Sequence, residues 1–423
     1  MTSVRADVFA FLTRTTMSGP RLPPELLDLI VDLLHRRESV LRHCCLVSKS
    51  WIPRTRRHLF ANIRFDTVKK LQSWKGRFPD PSASPARYTK ALFVDCPHAV
   101  TAADTGEGGW IRAFSKVAQL EVGCLHGGPA ISLIPFHGFS PVMKILHLNF
   151  TLPSPSEIFN LILSFPLLED LTVVSYGTEL TDNGDGSDEL SATAQLSNPP
   201  AFTGSLTLLR GGLKYLALWL LSLSSGIHFR ELDLTCVPKE DLLLAAALVG
   251  ECSHSLESLD IACDGVLGAS VRPPRPRDDS FPFPVKSRSA SVDLSRAMRL
   301  KELSFRVNSW CVDWIATALR TVAPKHLDLR QISIHVYFDS ANSVGANVRQ
   351  IIGEQLFEQW LGLDRLLVQL WESHSIRPKI QYYVLMRKEK DVSDCVGCLL
   401  PGTTEGRIID LVDGYSKRRT QGA

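Results

Sequence analysis

Two hydrophobic patterns divide this chain. From residue 22 to about residue 65 apolar side chains recur at helical spacing, whereas beyond about residue 85 they alternate as in short strands. The first helix is predicted to begin at Pro23 and Pro24, because proline is tolerated where the amide has no intrahelical partner. Glu25, Asp28 and Asp32 share one stripe of this helix, and leucine, isoleucine and valine cover the rest. Such a helix needs two surfaces to cover it, and the following segment supplies only part, so the pattern predicts a partner site.

The strand-like pattern reads in outline Leu-x-x-Leu-x-Leu. Its clear copies have their middle positions at Leu120, Leu146, Leu171, Leu232, Leu259 and Leu303, and weaker copies centre on Leu92, Leu216 and Leu327. Most steps between neighbouring copies are about 24 to 28 residues, which predicts a repeat of one strand, a turn and a helix. The step from 216 to 232 is too short for a full repeat. This indicates that residues 213–218 form an irregular strand or no true repeat.

Two long steps each contain a segment that reads as an inserted loop. Residues 177–205 carry five acidic side chains and no lysine or arginine, and residues 264–291 are rich in proline, arginine and lysine. Removing loops of this kind would bring both steps near the common period.

Helices are predicted where a stack of repeats needs them, over residues 239–248, 314–319 and 355–371. The last helix and a final strand over residues 379–386 are expected to close the stack. Repeats of this kind bury their apolar faces only against their neighbours, so stacking produces one continuous core and an exposed sheet face. The tail beyond residue 387 has little pattern apart from residues 408–412.

The N-terminal segment resembles an F-box, the module that docks on the Skp1 adaptor of cullin-RING ubiquitin ligases. The resemblance lies in the opening Leu-Pro-Pro-Glu-Leu-Leu at residue 22, in Ile30, in the Cys-Leu-Val-Ser-Lys-Ser-Trp block ending at Trp51, and in the Leu59-Phe60 close followed by Ile63 and Phe65. In the family the leading Leu-Pro, the isoleucine and apolar residues of the first helix, and the valine and tryptophan of the later block face Skp1. The resemblance therefore implies a Skp1-binding set of Leu22, Pro23, Pro24, Leu26, Ile30, Leu46, Val47 and Trp51. A plain helical hairpin that packs on the rest of the chain is the alternative.

The second region is similar to the divergent leucine-rich repeats of F-box proteins, especially of the large fungal families, although the asparagine or cysteine that normally turns each repeat is mostly missing. The expected fold class is α/β: a small all-α module followed by an irregular leucine-rich-repeat solenoid with parallel strands and helices. The expected divisions are a flexible N-terminus over residues 1–20, the F-box-like module over 21–66, the solenoid over 67–386 with insertions 177–205 and 264–291, and a C-terminal tail over 387–423.

Composition narrows the function classes. The 47 basic and 44 acidic residues are interspersed and leave a formal net charge of +3, which gives no case for a nucleic-acid or membrane partner. The one tight basic cluster, residues 54–58, reads as a solvated helix face. Ten scattered cysteines lack the spacing of a disulfide framework, and no apolar run approaches the length of a membrane helix, so a cytoplasmic or nuclear location is expected. Met17 is a plausible alternative start.

No catalytic or cofactor motif is recognisable. The chain has no GxSxG, P-loop, HExxH or dinucleotide-type glycine turn, and Cys395 and Cys398 have no second ligand pair for a structural zinc. No cofactor and no metal are expected. The resemblance implies a non-catalytic adaptor that recruits an unknown protein target to a ubiquitin ligase through Skp1, and the alternative function is a non-ligase repeat scaffold.

Overall fold

The computed structural model describes residues 23–35, 37–101, 104, 109–124, 132–150, 155–175, 200–209, 213–223, 225–237, 242–263, 292–308, 312–322, 326–338, 354–374, 378–384 and 410–413. Its helices are α1 (Pro24–Leu33), α2 (Glu38–Val47), α3 (Ile52–Leu59), α4 (Val68–Arg77), α5 (Pro155–Leu163), α6 (Leu213–Ser222), α7 (Leu242–Cys252), α8 (Asp313–Arg320) and α9 (Glu354–His374). Short 3₁₀ helices include Lys49–Trp51, Pro85–Tyr88 and Trp110–Phe114.

One open parallel sheet organises the chain. Its strands are β1 (Asn62–Phe65), β2 (Ala91–Val94), β3 (Gln119–Cys124), β4 (Ile145–Phe150), β5 (Asp170–Ser175), β6 (Ser205–Leu209), β7 (Glu231–Val237), β8 (Ser258–Cys263), β9 (Glu302–Asn308), β10 (Gln331–Phe338), β11 (Pro378–Val384) and β12 (Asp410–Asp413). Each strand pairs in parallel with the next one along the chain, so spatial order equals sequence order. The fold is α/β, and each successive repeat adds one strand to the edge of the sheet. We call each strand with the segment that leads to the next strand a layer.

Two rows of inward-facing side chains form the main core. The second and third apolar positions of the pattern are two residues apart and therefore point to the same face of each strand, and each position lies in register across the strands. The first row runs through Ile63, Leu92, Leu120, Leu146, Leu171, Leu206, Leu232, Leu259, Leu303 and Ile332, and all of them are buried. Helices and loops cover this face, with the α5–α7 side chains Phe159, Leu220 and Leu248 among the buried ones.

The residue before each strand joins successive layers. The carbonyl oxygen of Lys90 accepts from the backbone N–H groups of both Ala118 and Gln119, and the oxygen of Ala118 accepts in turn from Lys144 and Ile145. The same double bond recurs from Glu257 to Lys301 and Glu302. This ladder satisfies the backbone groups that a bare turn before a strand would leave unpaired. It aligns the strand starts on one edge of the sheet.

The six clear strand predictions and the one at Leu92 are confirmed, as are the helices over 314–319 and 355–371 and the strand beginning at 379 within the described residues. The helix predicted over 239–248 is observed as α7. The sheet also extends through β1, inside residues 21–66, and through β12, inside the tail. The acidic and basic segments between residues 176 and 199 and between 264 and 291 lie outside the described residues.

Two predicted strand centres were wrong. Leu216 lies on α6, so residues 213–218 are no true repeat, and the strand of that repeat is β6, which begins at Ser205, the last residue of the predicted insertion. Leu327 lies in a turn and is 88% exposed, while the strand that follows buries Ile332 and Ile334. In both cases the local apolar triplet resembles a strand. The pairing with the neighbouring strand instead places the strand at β6 and at β10. Leu171, Leu206 and Leu232 lie in register on three neighbouring strands. With Leu206 as the strand centre, the short step from 216 to 232 disappears.

Within the described residues, no helix combines the length and the hydropathy that a membrane crossing requires.

Candidate interaction surface on the N-terminal helices

Helix α1 carries two apolar stripes that face different surroundings. Leu27, Val31 and Leu34 recur at four and three residues and point toward α2 and α3, with Val31 fully buried and the other two half-buried. Leu26, Leu29, Ile30 and Leu33, which we call the outer stripe, recur at the same spacing on an adjacent face, and all four are exposed. The helix starts with proline in its first turn and with Glu25 near its positive end. The pattern of the sequence is therefore split between an internal core and an uncovered face.

The inner stripe belongs to a small core of its own. Val31, Leu41, Cys44 and Trp51 form this core, and Leu27, Leu34, Val40 and Leu59 pack around it. It is separate from the main core, which begins with Phe60, Ile63 and Phe65. We call α1, α2, the Lys49–Trp51 turn and α3 the helical unit.

Local hydrogen bonds place Trp51 in this core. The Ser48 hydroxyl accepts from the backbone N–H of Ser50 at 3.3 Å and ends α2 by opening a 3₁₀ turn. The Thr55 hydroxyl donates to the carbonyl oxygen of Trp51 at 2.7 Å, one turn into α3. The sharp turn directs the indole inward between the helices.

An ionic clamp joins α1 to α3 beside the core. The Asp32 carboxylate accepts from Arg54 Nε at 2.7 Å and from Arg54 Nη2, and it contacts His58 Nε2 at 2.7 Å. These hydrogen bonds, that of Arg54 first, hold the pKa of the Asp32 carboxyl well below its ordinary value. The clamp therefore ties α1 to α3 beside the small core.

The outer stripe is the main apolar exposure of the helical unit. Leu33 is 74% exposed, and at the end of α2 Leu46 is 83% exposed, with Val47 beside it also uncovered. Exposed leucines scattered singly are normal on a protein surface, but four at helical spacing on a ten-residue helix make a continuous apolar strip. A strip of this kind fits the apolar surface of a protein partner.

The residues predicted to bind a partner divide into three groups. Leu26, Ile30, Leu46 and Val47 are exposed as a docking role requires, and Pro23 is exposed at the start of α1. Leu22 and the side chain of Pro24 lie outside the described residues. Trp51 is only 7% exposed and packs in the core of the helical unit, so the structure does not place it on the surface.

The sequence-based set missed Leu29 and Leu33. Both lie on the outer stripe and are more exposed than Ile30. Their spacing of three and seven residues from Leu26 was a signal that could have identified them. The resemblance assigned roles position by position and did not separate the two stripes.

Polar side chains alternate with the core positions along the strands and point to the opposite, outer face of the sheet. Arg306 forms an ion pair with Asp260 on the neighbouring strand and lies 3.6 Å from an Asp233 oxygen one strand further. Burial raises the pKa of Asp260, and Arg306 opposes that shift. Lys301, which directly precedes β9, pairs with Glu257 at 2.5 Å. Two of the cations around β9 are therefore neutralised by acids of the preceding layers.

No protein-family model matches this chain, and no curated protein is significantly similar to it.

Proposed function

We propose that this protein is a substrate-recognition adaptor of an SCF-type ubiquitin ligase, a non-catalytic subunit that joins two proteins. In this proposal the helical unit is an F-box that binds a Skp1-like adaptor through the outer stripe, Leu46 and Val47. The sheet with its divergent leucine-rich repeats holds a protein target. The contribution to ubiquitin transfer is proximity, since the adaptor brings the target near the ubiquitin-loaded enzyme.

The outer stripe is the observation that carries the proposal. The helical unit fills its own core with Val31, Leu41, Cys44 and Trp51, so the outer leucines are not needed to fold it. Leaving apolar surface in water costs about 25 cal/mol per Å², and a bound partner would recover that free energy. The order of the sequence motif from residue 22 to residue 65 makes Skp1 the partner we favour.

The capping alternative makes a different prediction about the same side chains. A helical unit that only caps the repeats would press Leu27, Leu34 and Trp51 against the layers of Leu92 and Leu120. These three side chains pack instead against Val31, Leu41 and Cys44, in a core separate from that of the sheet. This arrangement supports the adaptor over the scaffold.

A pull-down of the full chain with purified Skp1 tests the proposal. The variant carrying Ile30→Asp and Leu33→Asp places two charges on the outer stripe without touching the core. We expect its affinity for Skp1 to fall by at least about 30-fold, which corresponds to about 2 kcal/mol for the loss of a central apolar contact. Leu327→Asp is the matched control, because this leucine is 88% exposed in a turn far along the chain. We expect it to bind as the wild type does.

Two results would contradict the adaptor. The first is absence of Skp1 binding by a wild-type chain that is folded by circular dichroism. The second is binding that survives both aspartates on the outer stripe.

The non-ligase scaffold keeps one observation in its favour. Strand β1 follows α3 after only two residues and pairs directly with β2, so the helical unit is continuous with the first layer of the sheet. Under this alternative the outer stripe binds a different protein, and the same pull-down separates the two functions.

A further inference from the structure

A cleft of about 550 Å³ lies where the helical unit meets the edge of the sheet. Asp32 of α1 and Arg54, Arg57 and His58 of α3 line one side, and Ala61 follows them. The other side consists of Arg87, Tyr88, Lys90 and Lys116, which precede β2 and β3. Four segments that are separate in sequence thus converge on one concave site.

The cleft has a large excess of positive charge. Five arginine and lysine side chains and one carboxylate line it, a net charge of +4 before any contribution from His58. The single carboxylate is already engaged, because Asp32 binds both Arg54 and His58. Arg57, Lys90 and Lys116 form no ion pair with any residue that the structure describes. Like charges brought together without a counterion repel one another, so this arrangement favours binding of an anion.

Other lysines on the same edge of the sheet show the contrast. Lys144 pairs with Glu169 of the next layer at 2.7 Å, and Lys301 pairs with Glu257 at 2.5 Å. The ladder of backbone bonds gives Lys90 the equivalent position before its strand. Its neighbours in the ladder, however, are Ala61 and Ala118, which offer no carboxylate. The cleft therefore lacks the charge compensation that Lys144 and Lys301 receive from acids of the neighbouring repeats.

One cation of the cleft is held in place by its own neighbour. The Arg87 guanidinium lies 4.9 Å from the centroid of the Tyr88 ring and donates from Nη2 to the Tyr88 hydroxyl at 3.0 Å. A second cation, Arg54, is held by its hydrogen bond to the Asp32 carboxylate. A guanidinium that is already oriented loses less side-chain entropy when it binds an oxyanion.

We propose that this cleft binds a compact oligophosphate, a small molecule that carries several adjacent phosphate groups. Phosphate oxygens match the arginine forks and the lysine ammonium groups, and charge-assisted hydrogen bonds of this type are about twice as strong as neutral ones. The volume falls within the range of about 300 to 1,000 Å³ that is typical of small-molecule sites. A bound oligophosphate would bridge Arg57 of the helical unit and Lys90 and Lys116 of the sheet, and would tie the two together.

Isothermal titration of tripolyphosphate into the full-length chain tests this inference. We expect the wild type to bind, with an affinity that falls as sodium chloride is raised because salt screens the exposed charges. Lys90→Gln with Lys116→Gln should weaken binding at least about tenfold, since two charge-assisted hydrogen bonds are lost. Arg57→Gln tests the opposite wall and should also weaken it. The matched control is Lys49→Gln with Lys69→Gln, two exposed lysines outside the cleft.

The outcomes separate the sources of phosphate. Tripolyphosphate binding that the cleft variants weaken and the control retains supports the proposal. Equal binding by all variants, or no binding by the wild type, overturns it. Cleft-dependent binding of a phosphoserine peptide without binding of tripolyphosphate also overturns it, because the site would then recognise a phosphorylated protein. The result does not depend on whether Skp1 binds.

Discussion

At the scale of single residues, Gly204 shows how the start of a strand can require a residue without a side chain. It lies just before β6, and its carbonyl oxygen accepts from the backbone of Arg230 at 2.8 Å and of Glu231 at 3.3 Å. The Asp170 carboxylate reaches into the space beside it and accepts from the backbone N–H of Ser205 at 2.6 Å. A β-carbon on Gly204 would lie 2.1 Å from Asp170 Oδ1 and 2.9 Å from the carbonyl oxygen of Glu169. Only glycine fits here without displacing the bond that starts β6.

We therefore expect Gly204→Ala to lower the free energy of unfolding by about 1 to 3 kcal/mol, the usual cost of forcing an atom into an occupied site. The matched control is Gly250→Ala on α7, where a β-carbon meets nothing within 4 Å. Alanine favours helix over glycine, so this change should raise the free energy of unfolding by about 0.5 to 1 kcal/mol. Urea denaturation of both variants measures the pair. Equal stability of Gly204→Ala and the wild type would contradict the proposed packing.

At the scale of elements, the clamp between α1 and α3 links the stability of the helical unit to pH. Arg54, and secondarily His58, hold the Asp32 carboxyl ionised in the folded protein. A carboxyl whose pKa is lowered by folding stabilises the folded state above its unfolded pKa, and that contribution is lost as the pH falls through the folded pKa. The clamp therefore contributes at neutral pH and weakens progressively below about pH 4.

We expect Asp32→Asn to lower the free energy of unfolding at pH 7 by no more than about 1 kcal/mol, because a third of the side chain is exposed to solvent. The difference from the wild type should shrink as the pH falls below about 4. Asp28→Asn, an exposed acid one turn earlier on α1, should show little change at either pH. Denaturation curves across this pH range check the sign. A difference that grows in acid would refute the clamp.

At the scale of the whole molecule, two separate cores predict two units of stability. The helical unit rests on Val31, Leu41, Cys44 and Trp51, whereas the sheet is held by rows of leucines that run through its layers. In stacked repeats each layer contacts mainly its neighbours, so a local loss need not reach distant layers. The helices can therefore open while the central strands stay folded.

Trp51→Ala should remove this small core, since truncation of a buried tryptophan costs about 3 to 5 kcal/mol. We expect amide hydrogen exchange to accelerate over α1, α2 and α3 while β4 to β10 keep their protection. Phe305→Ala, in the core of the sheet, is the comparison and should act on the strands around β9 instead. Equal loss of protection throughout the chain after Trp51→Ala would show that the two cores act as one. Trp51→Ala would also lose Skp1 binding, because the helical unit unfolds. The aspartates on the outer stripe are expected to reduce binding while the helical unit stays folded.

The sequence alone determined much of the sheet. The Leu-x-x-Leu-x-Leu triplets at Leu120, Leu146, Leu171, Leu232, Leu259 and Leu303 coincide with strands, because alternation of side chains is a local property of an extended chain. It also indicated that α1 is apolar on more than one face. At Leu216 the same local information was ambiguous, since a short apolar run suits a buried helix as well as a strand.

Tertiary structure decided what the local pattern leaves open. Whether Leu33 or Val31 faces the core depends on how α3 lies against α1, and Trp51 is apolar enough for either a core or a partner surface. The charges follow the same rule: Arg57 and Lys116 meet in one cleft, whereas Glu257 neutralises Lys301 from 44 residues away. Hydrophobic periodicity specifies each strand from its own residues, but burial and charge pairing depend on contacts between residues that only the folded chain brings together.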